Sequence, residues 1–163
     1  MVLRKITNNQ SDIETALQIY QSNEKFLIQH LGRNSIDTEF LQNELKEMEE
    51  HGFVSNLILE GEKAIGILDY GMQADKSVYL SLMILDSSVQ RSGKGKSVYR
   101  AFENQVTKEG ANSIRIDVVN DHEPNVIPFW EKMGFRGKRQ DTLTWGDKTS
   151  KVLVMEKRLQ EDF

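Results

Sequence analysis

The 163-residue chain contains no cysteine. It therefore has no disulfide, no thiolate zinc site and no cysteine nucleophile. Its three histidines, His30, His51 and His122, lack the close spacing of metal ligands, so we predict no metal site. Thiol-based catalysis and cysteine-ligated zinc chemistry are thus excluded.

Long apolar stretches are also missing. No run approaches the ~20 apolar residues that cross a bilayer, and the opening residues 1–4 do not resemble the start of a signal peptide. We therefore expect no membrane partner and a cytoplasmic location. The net charge of −4 argues against general binding of nucleic acid.

The composition is that of a folded domain. Hydrophobic residues make up 38% of the chain and aromatic residues 8%, which is typical of a globular protein. A chain of 163 residues is long enough to bury a substantial core in one unit. Because there is no repeat, linker or low-complexity tract, residues 1–163 are predicted to form one domain.

The apolar pattern predicts an α/β fold with a mixed central sheet of about six to seven strands and about four flanking helices. Ser11 and Glu14 have the spacing of a capping box, which opens a first helix whose apolar face extends toward Leu27. The other predicted helices span residues 37–50, 94–108 and 125–133. The predicted strands span residues 2–6, 54–60, 64–70, 78–85, 114–119, 135–144 and 151–159.

A strand, a glycine-containing loop and a helix follow one another between Ser81 and Glu103. Gln90, Gly93 and Gly95 stand where the loop becomes the helix. A helix N-terminus offers unpaired N–H groups and the positive end of the backbone dipole, and glycine lets the backbone come close to a phosphate. The pattern predicts a pyrophosphate cradle.

Three cations surround the same turn, namely Arg91, Lys94 and Lys96, and they favour an anion site. The alternative interpretation is a tight turn capped by glycine, with the cations only solvated. The loop lacks the G-x-x-x-x-G-K-[ST] string of nucleoside-triphosphate P-loops and the third glycine of a dinucleotide-binding fingerprint. It therefore belongs to neither of these phosphate-binding classes.

The run from Met83 to Lys96 resembles the acetyl-coenzyme A binding motif of the GNAT superfamily of N-acetyltransferases. The segment NDHEPNVIPFWEKMGF, from Asn120 to Phe135, is similar to the second signature of that family, and the run VLVMEKRL is similar to its last strand. The resemblance covers about residues 80–159, while the N-terminal half matches only in its order of elements. It implies a single-domain GNAT-like fold with acetyl-coenzyme A as co-substrate.

The resemblance also implies how the cofactor is held. The strand before the loop separates from its neighbour, and the backbone of Met83, Ile84 and Leu85 binds the pantetheine arm. An N–H group there polarises the thioester carbonyl, a contribution worth ~3 kcal/mol of barrier. The pyrophosphate lies on the turn formed by Gln90, Arg91, Ser92, Gly93, Lys94, Gly95 and Lys96.

The second signature differs from the family pattern in its asparagine. Strict counting places Glu123 where family members carry that residue, with Asn120 and Asn125 on either side. These two asparagines are the remaining candidates for a contact with the cofactor.

Acetyl transfer to an amine needs a proton acceptor, because an alkyl amine with a pKa of about 10 is almost entirely protonated at neutral pH. Asp117, in the strand IRIDVV, corresponds to a position where some family members carry a catalytic glutamate, so it is predicted as the general base. The alternative is a surface-facing residue of a half-exposed strand. Asp69 and Glu60 are rival bases, and a water relay without a single base is a further alternative.

Trp130 stands where family members often have a tyrosine that protonates the leaving thiolate. An indole N–H donates a hydrogen bond but is not an acid at any relevant pH. Either the sulfur receives only a hydrogen bond from Trp130, or Tyr99 or Tyr70 supplies the proton. A third interpretation is that Trp130 only packs over the cofactor arm or in the core.

The predicted function is transfer of an acetyl group from acetyl-coenzyme A to a primary amine of a small molecule or peptide, by direct attack in a ternary complex. The alternative is a catalytically silent GNAT-fold module that binds coenzyme A. A homodimer is a further expectation, with the final hairpin and the helix faces as candidate surfaces.

The acceptor pocket is expected between the N-terminal helices and the final hairpin. The second predicted helix carries six acids against Lys46 alone, which suits a cationic acceptor, although the acids also fit a merely solvated helix face. The acids are Asp37, Glu39, Glu44, Glu47, Glu49 and Glu50. The candidate wall residues are Tyr20, Phe26, His30 and Trp145.

Overall fold

A computed structural model describes residues 1–159 of the chain. It contains a seven-stranded mixed sheet in the order β1-β2-β3-β4-β5-β7-β6, so the predicted α/β fold with a mixed sheet is confirmed. Only β4 and β5 run parallel within the described sheet. The strands are β1 (Val2–Lys5), β2 (Phe53–Glu60), β3 (Lys63–Met72), β4 (Ser77–Leu85), β5 (Ser113–Val119), β6 (Arg136–Trp145) and β7 (Lys148–Arg158).

Five α-helices cover the two faces of the sheet. They are α1 (Gln10–Gln21), α2 (Glu24–Leu31), α3 (Thr38–Glu50), α4 (Lys94–Lys108) and α5 (Ile127–Lys132). A short 3₁₀ turn over Ser87–Val89 follows β4. None of the helices in the described part of the chain is long and apolar enough to span a bilayer.

The sheet separates two hydrophobic cores. Val98, Phe102 and Val106 recur at every fourth position of α4 and are fully buried against one face, together with Ile114 of β5. The other core lies under α1, α2 and α3, whose buried members include Leu27. This helix spacing follows directly from the apolar pattern of the sequence.

The first helix differs from the prediction at both ends. Its N-cap is Asn9, whose side chain accepts a hydrogen bond from the Asp12 N–H at 2.8 Å, so the predicted capping box at Ser11 and Glu14 is wrong. The cap forms earlier because the Asn9 carboxamide oxygen reaches the free N–H groups of the first turn. The Asp12 carboxylate is held instead by Arg4, at 2.9 Å.

The predicted extension of the first helix toward Leu27 is interrupted. Helix α1 ends at Gln21 and α2 begins at Glu24. The Ser22 hydroxyl and the Asn23 amide both donate to the Ile19 carbonyl, at 2.8 and 2.9 Å. These side-chain bonds replace the backbone bonds that would continue the helix, so two helices form.

The second signature forms a shorter helix than predicted. Asn125 accepts a hydrogen bond from the Ile127 N–H at 3.0 Å, so α5 begins at Ile127 rather than at residue 125. Pro128 lies in the first turn, as expected, where its missing N–H costs nothing. Gly134, with φ of +98°, follows the helix and leads into β6.

Strands β4 and β5 separate in the middle of the sheet. They pair only from Ser77–Tyr79 to Ser113–Arg115. Beyond this point β5 continues along β7, while residues 80–85 of β4 pair only with β3 among the described strands. One edge of β4 is therefore open, as the resemblance implied.

Candidate active site

A cavity of about 360 Å³ lies where β4 and β5 separate. Its wall includes members of both hydrophobic cores, so the cavity passes through the sheet. Strand β4 contributes five consecutive residues, Tyr79 to Met83. The wall also holds four carboxylates, from Glu44, Glu47, Asp69 and Asp117, inside a mostly apolar and aromatic surface.

The four residues predicted for the acceptor pocket all line this cavity. Phe26 stacks on His30 with ring centroids 4.0 Å apart, and Trp145 meets the edge of Phe26 at 6.4 Å. Tyr20 is buried on the same side. These rings form one aromatic wall opposite the sheet.

His30 is a neutral member of this wall. Its Nδ1 donates to the Phe26 carbonyl at 3.0 Å. Burial lowers the pKa of His30 to about 4, and the nearby His122 and Lys148 act in the same direction. The imidazole is therefore uncharged at neutral pH and is a weak base.

The turn between β6 and β7 positions Trp145. Gly146 has φ of +58°, and a Cβ at this position would overlap the side chain of Leu31 at the end of α2. Lys148 donates to the Gln29 carbonyl of the same helix. The hairpin is thus held against α2, which brings the Trp145 ring into the cavity.

Asp117, the predicted base, lies in the cavity wall but is fully engaged. Arg115 donates to both carboxylate oxygens, each at 2.9 Å, and the Tyr79 hydroxyl donates to Oδ2 at 2.8 Å. The Asp117 side chain is only 6% exposed. Burial and the Asp117 charge raise the pKa of the Tyr79 hydroxyl, so it remains a donor.

Asp69 is the most buried carboxylate of the cavity. Its backbone lies in β3, it is 6% exposed, and the Ser55 hydroxyl donates to Oδ1 at 2.5 Å. Burial raises the pKa of Asp69 to about 7, the hydrogen bond from Ser55 opposes this, and the negative charge of Glu44 adds to it. Asp69 thus exchanges a proton near neutral pH.

Glu44 brings an acidic group to the aromatic wall. Its carboxylate accepts a hydrogen bond from the Trp145 indole at 3.2 Å. Burial raises the pKa of Glu44, while the hydrogen bond from Trp145 lowers it. Of the six acids on the predicted second helix, only Glu44 and Glu47 line the cavity.

Trp130 lies at the α5 side of the cavity and is only 8% exposed. It meets Phe129, Phe135 and Tyr99 edge-to-face, at 4.9, 5.4 and 5.6 Å between ring centroids. The ring therefore packs in the core and borders the cavity at once. Tyr99 and Tyr70, the two rival proton donors, do not line the cavity.

The glycine loop has the geometry of an anion site. Gly93 is the N-cap of α4 with φ of +79°, Arg91 has φ of +64°, and no side chain in residues 1–159 caps this helix. A Cβ at Gly93 would meet nothing within 4 Å, so the space beside the helix end is open. Arg91 and Lys96 are exposed, whereas Lys94 binds Glu60 at 2.6 Å.

Glu60, one of the rival bases, therefore lies outside the cavity in a surface ion pair. Its partner, Lys94, is the first residue of α4.

Gln90 joins the loop to the end of β4. Its amide donates to the Leu85 carbonyl at 2.9 Å and to the side chain of Asn23. Asn23 is buried and donates to the same carbonyl at 2.9 Å. Asn23 was not predicted, since nothing in its local sequence shows that it contacts a strand 62 residues away.

The two candidate asparagines lie outside the main cavity. Asn120 donates to Gln140 at 3.2 Å, and Asn125 accepts a hydrogen bond from the Ile127 N–H just before α5. Of the three β4 residues predicted to hold the pantetheine arm, only Met83 lines the cavity with its side chain. Ile84 is buried in the core under α1–α3, and Leu85 packs against the opposite core.

Solved structures of N-acetyltransferases share this fold. An acetyltransferase from Salmonella typhimurium that modifies the N-terminal serine of ribosomal protein L7/L12 is 16% identical, with a TM-score of 0.79 over 97% of this chain and 94% of that chain. The PaiA N-acetyltransferase of Thermoplasma acidophilum, in complex with coenzyme A, is 19% identical with a TM-score of 0.68 over 97% and 98%. An aminoglycoside 6′-N-acetyltransferase complexed with coenzyme A is 14% identical with a TM-score of 0.71 over 99% and 100%.

At these identities the structural likeness establishes the fold. The family model described as the acetyltransferase (GNAT) family matches residues 15–135, which is well over half of the chain. The chain belongs to the GNAT acetyltransferase family. No curated protein sequence matches it.

Proposed function

We propose that the protein transfers an acetyl group from acetyl-coenzyme A to a primary amine of a small molecule or peptide, which attacks the thioester directly while both substrates are bound. The observation that carries this proposal is the continuous segment from β4 to α4. It offers an open strand edge, a cavity wall and an uncapped helix N-terminus in immediate succession.

The residues of this segment fit an acyl-coenzyme A. Backbone N–H groups of the first turn of α4 have no partner within the helix, and they attract the pyrophosphate together with the exposed Arg91 and Lys96. The open space beside Gly93 leaves room for the phosphates. Gln90 connects the loop to the end of β4, because its side-chain amide donates a hydrogen bond to the Leu85 carbonyl.

The open edge of β4 supplies hydrogen-bonding groups to the pantetheine arm and the thioester. A backbone N–H aimed at the carbonyl oxygen stabilises the charge that develops there as the amine attacks. When bound, acetyl-coenzyme A supplies the activated acetyl group. The cavity through the sheet admits the amine from the α3 side, where Glu44 and Glu47 attract a cationic acceptor.

The comparisons support a range of amine acceptors without choosing one. Structural neighbours include enzymes named for ribosomal-protein N-termini and one named for aminoglycosides. All of these neighbours are named as enzymes that acetylate an acceptor. The predicted cytoplasmic location and homodimer stay predictions.

Binding of acetyl-coenzyme A is the first test. At a hundred times its dissociation constant, a ligand stabilises the folded state by about 2.7 kcal/mol, which raises Tm by roughly 5–10 °C for a domain of this size. We expect such a shift with acetyl-coenzyme A in a thermal unfolding experiment, and little with ADP as the matched control. The absence of a shift at millimolar acetyl-coenzyme A would contradict the proposal.

A silent module that binds coenzyme A is the alternative, and Trp130 is the observation that favours it. The indole occupies the place of a proton-donating tyrosine and is packed among three aromatic rings. Turnover by the wild type with any primary amine excludes the module. An inert wild type whose Trp130→Tyr variant gains turnover would establish it.

A further inference from the structure

We infer that Asp69, rather than Asp117, is the carboxylate that removes the proton from the acceptor amine. The inference rests on the proposed acetyl transfer and assigns its general base. It depends on how the two side chains are bonded, where each lies relative to the open part of β4, and which charged groups surround them.

Both carboxylate oxygens of Asp117 are already occupied. They receive three hydrogen bonds, two of them from the Arg115 guanidinium and one from Tyr79. An amine would have to displace one of these donors in order to contact the group.

Asp69 has a free oxygen. Among residues 1–159 only Ser55 donates to its side chain, and that bond goes to Oδ1. Oδ2 is left for a substrate, since Asp69 lines the cavity. A single neutral donor fixes the orientation of the carboxyl group without compelling it to remain ionised.

The register of β3 and β4 places Asp69 beside the open part of β4. Asp69 pairs with Leu82 and Tyr70 pairs with Leu80, so Ser81 is an extra residue in β4. The Ser81 hydroxyl donates back to the Asp69 carbonyl at 3.3 Å. This bulge bends the strand next to the residues that line the cavity, where the thioester is proposed to lie.

The groups that face Asp69 favour proton exchange near neutral pH. Within residues 1–159 they are Tyr20 from α1, Glu44 from α3 and Ser55 from β2, and none of these three is a cation. Burial raises the pKa of Asp69 to about 7, in the range where a base is both free to accept and able to release a proton. Burial also raises the pKa of Tyr20 well above its ordinary value, so that hydroxyl stays neutral.

In the proposed step, the ammonium form of the acceptor loses one proton to Asp69 Oδ2, and the nitrogen lone pair attacks the thioester carbon. The new C–N bond forms, the C–S bond breaks, and the sulfur leaves with the bonding electrons as a thiolate. The second proton lost by the nitrogen goes to that thiolate or to solvent, and Asp69 returns its own proton to solvent.

Two probe amines separate a base from a structural residue. Benzylamine is an ammonium ion at neutral pH, whereas aniline is a free base there, and both are aromatic primary amines that match the aromatic wall. We expect Asp69→Asn to lower kcat/KM at pH 8 at least 100-fold for benzylamine and less than 10-fold for aniline. Binding of acetyl-coenzyme A, measured by calorimetry, should be unchanged.

The pH dependence gives a second readout. The difference in kcat/KM for benzylamine between wild type and Asp69→Asn should narrow below about pH 7. Asp69 of the wild type is then protonated and cannot act as a base, so the wild type behaves like the variant. Ser55→Ala removes the one hydrogen bond that favours the carboxylate, so the pKa of Asp69 should rise further. The kcat/KM of this variant for benzylamine should therefore begin to fall at a higher pH than that of the wild type. This variant also keeps the inference testable if Asp69→Asn does not fold.

Asp117→Asn is the matched control and should preserve the pH profile even where it lowers stability. The inference would be overturned if Asp69→Asn kept its benzylamine turnover within 3-fold of the wild type. It would also be overturned if Asp117→Asn, and not Asp69→Asn, abolished the pH dependence of benzylamine turnover.

Failure of the proposed function is recognised separately, by a wild type that binds acetyl-coenzyme A but acetylates no primary amine, the two probes included. The base assignment then depends on the NMR signal of the ¹³C-labelled Asp69 carboxyl group with acetyl-coenzyme A bound. A shift on addition of benzylamine supports the contact, and an unchanged signal overturns it.

Discussion

At the scale of single residues, the group formed by Arg115, Asp117 and Tyr79 holds the point where the sheet opens. Arg115 and Asp117 share one face of β5 because side chains alternate along a strand. Tyr79 and Arg115 form the last pair between β4 and β5, and the guanidinium lies over the Tyr79 ring at 5.1 Å. The ion pair therefore stabilises the last paired residues before β4 and β5 separate.

Asp117→Asn should destabilise the fold. The substitution leaves the Arg115 guanidinium without its anion. It also replaces one of the two oxygens that accept from Arg115 and Tyr79 by an NH₂ group, which cannot accept a hydrogen bond. Because Arg115 is 33% exposed, water compensates for part of the loss, and we expect a decrease of about 1–3 kcal/mol in the free energy of unfolding. Urea denaturation at pH 7 measures it.

The matched control is Asp147→Asn. Asp147 is 80% exposed and lies 3.9 Å from Arg33, so its loss should change the free energy of unfolding by less than about 0.5 kcal/mol. Equal effects of the two substitutions would contradict the role assigned to the Asp117 group.

At the scale of elements, the cavity depends on two contacts between segments that are distant in sequence. The β6–β7 turn packs on the end of α2 and carries Trp145 to the aromatic wall. The end of β4 is tied to the α1–α2 junction, where Asn23 donates to the Leu85 carbonyl. Each contact fixes one end of the site.

Gly146→Ala tests the hairpin contact. The residue combines a left-handed backbone with close approach to Leu31, so an added methyl group is strained twice. We expect a loss of ~2–4 kcal/mol in the free energy of unfolding, measured by urea denaturation.

The paired substitution is Gly61→Ala, in the β2–β3 turn. Gly61 has a similar φ of +64°, but a Cβ there would meet nothing within 4 Å. Its cost should be limited to the backbone strain of about 1–2 kcal/mol. A Gly61 variant as unstable as the Gly146 variant would show that packing against α2 contributes nothing.

At the scale of the whole molecule, two cores share one sheet and the cavity connects them. Burial of Asp69 in this arrangement links the stability of the molecule to pH. The carboxyl pKa is about 7 in the folded protein against 3.8 when unfolded. A raised pKa means that the folded state holds the proton more tightly.

The free energy of unfolding should therefore decrease as pH rises from about 4 to about 7. The contribution of Asp69 is complete below its unfolded pKa of 3.8 and is lost as the pH passes the folded value, with a total of about 4 kcal/mol at most. Urea denaturation between pH 4.5 and 8 should give a flatter dependence for Asp69→Asn than for wild type.

Asp12→Asn is the contrasting variant. The hydrogen bond from Arg4 is the main cause that lowers the pKa of Asp12 to about 2, so its contribution is present above pH 3.8 and lost toward pH 2. This substitution should leave the slope between pH 4.5 and 8 unchanged. A flattened slope in that range would show that Asp69 is not its source.

The sequence alone determined the parts that depend on local patterns. The apolar pattern predicted seven strands, and the structure has seven. The glycines at positions 93 and 95 marked the start of the helix predicted over residues 94–108, which is α4. Local signals were less decisive at element ends, where Asn9 caps α1 and Asn125 accepts a hydrogen bond from the Ile127 N–H just before α5, at positions that propensity does not resolve.

Only the tertiary structure decided which carboxylate is available for chemistry. Asp69 and Asp117 both stand in apolar strands and look equivalent in the sequence. Folding gives Asp117 a guanidinium and a phenol, and gives Asp69 one serine hydroxyl and a cavity. Proton affinity depends on burial and on neighbouring charges, and those neighbours come from strands and helices far apart in the chain.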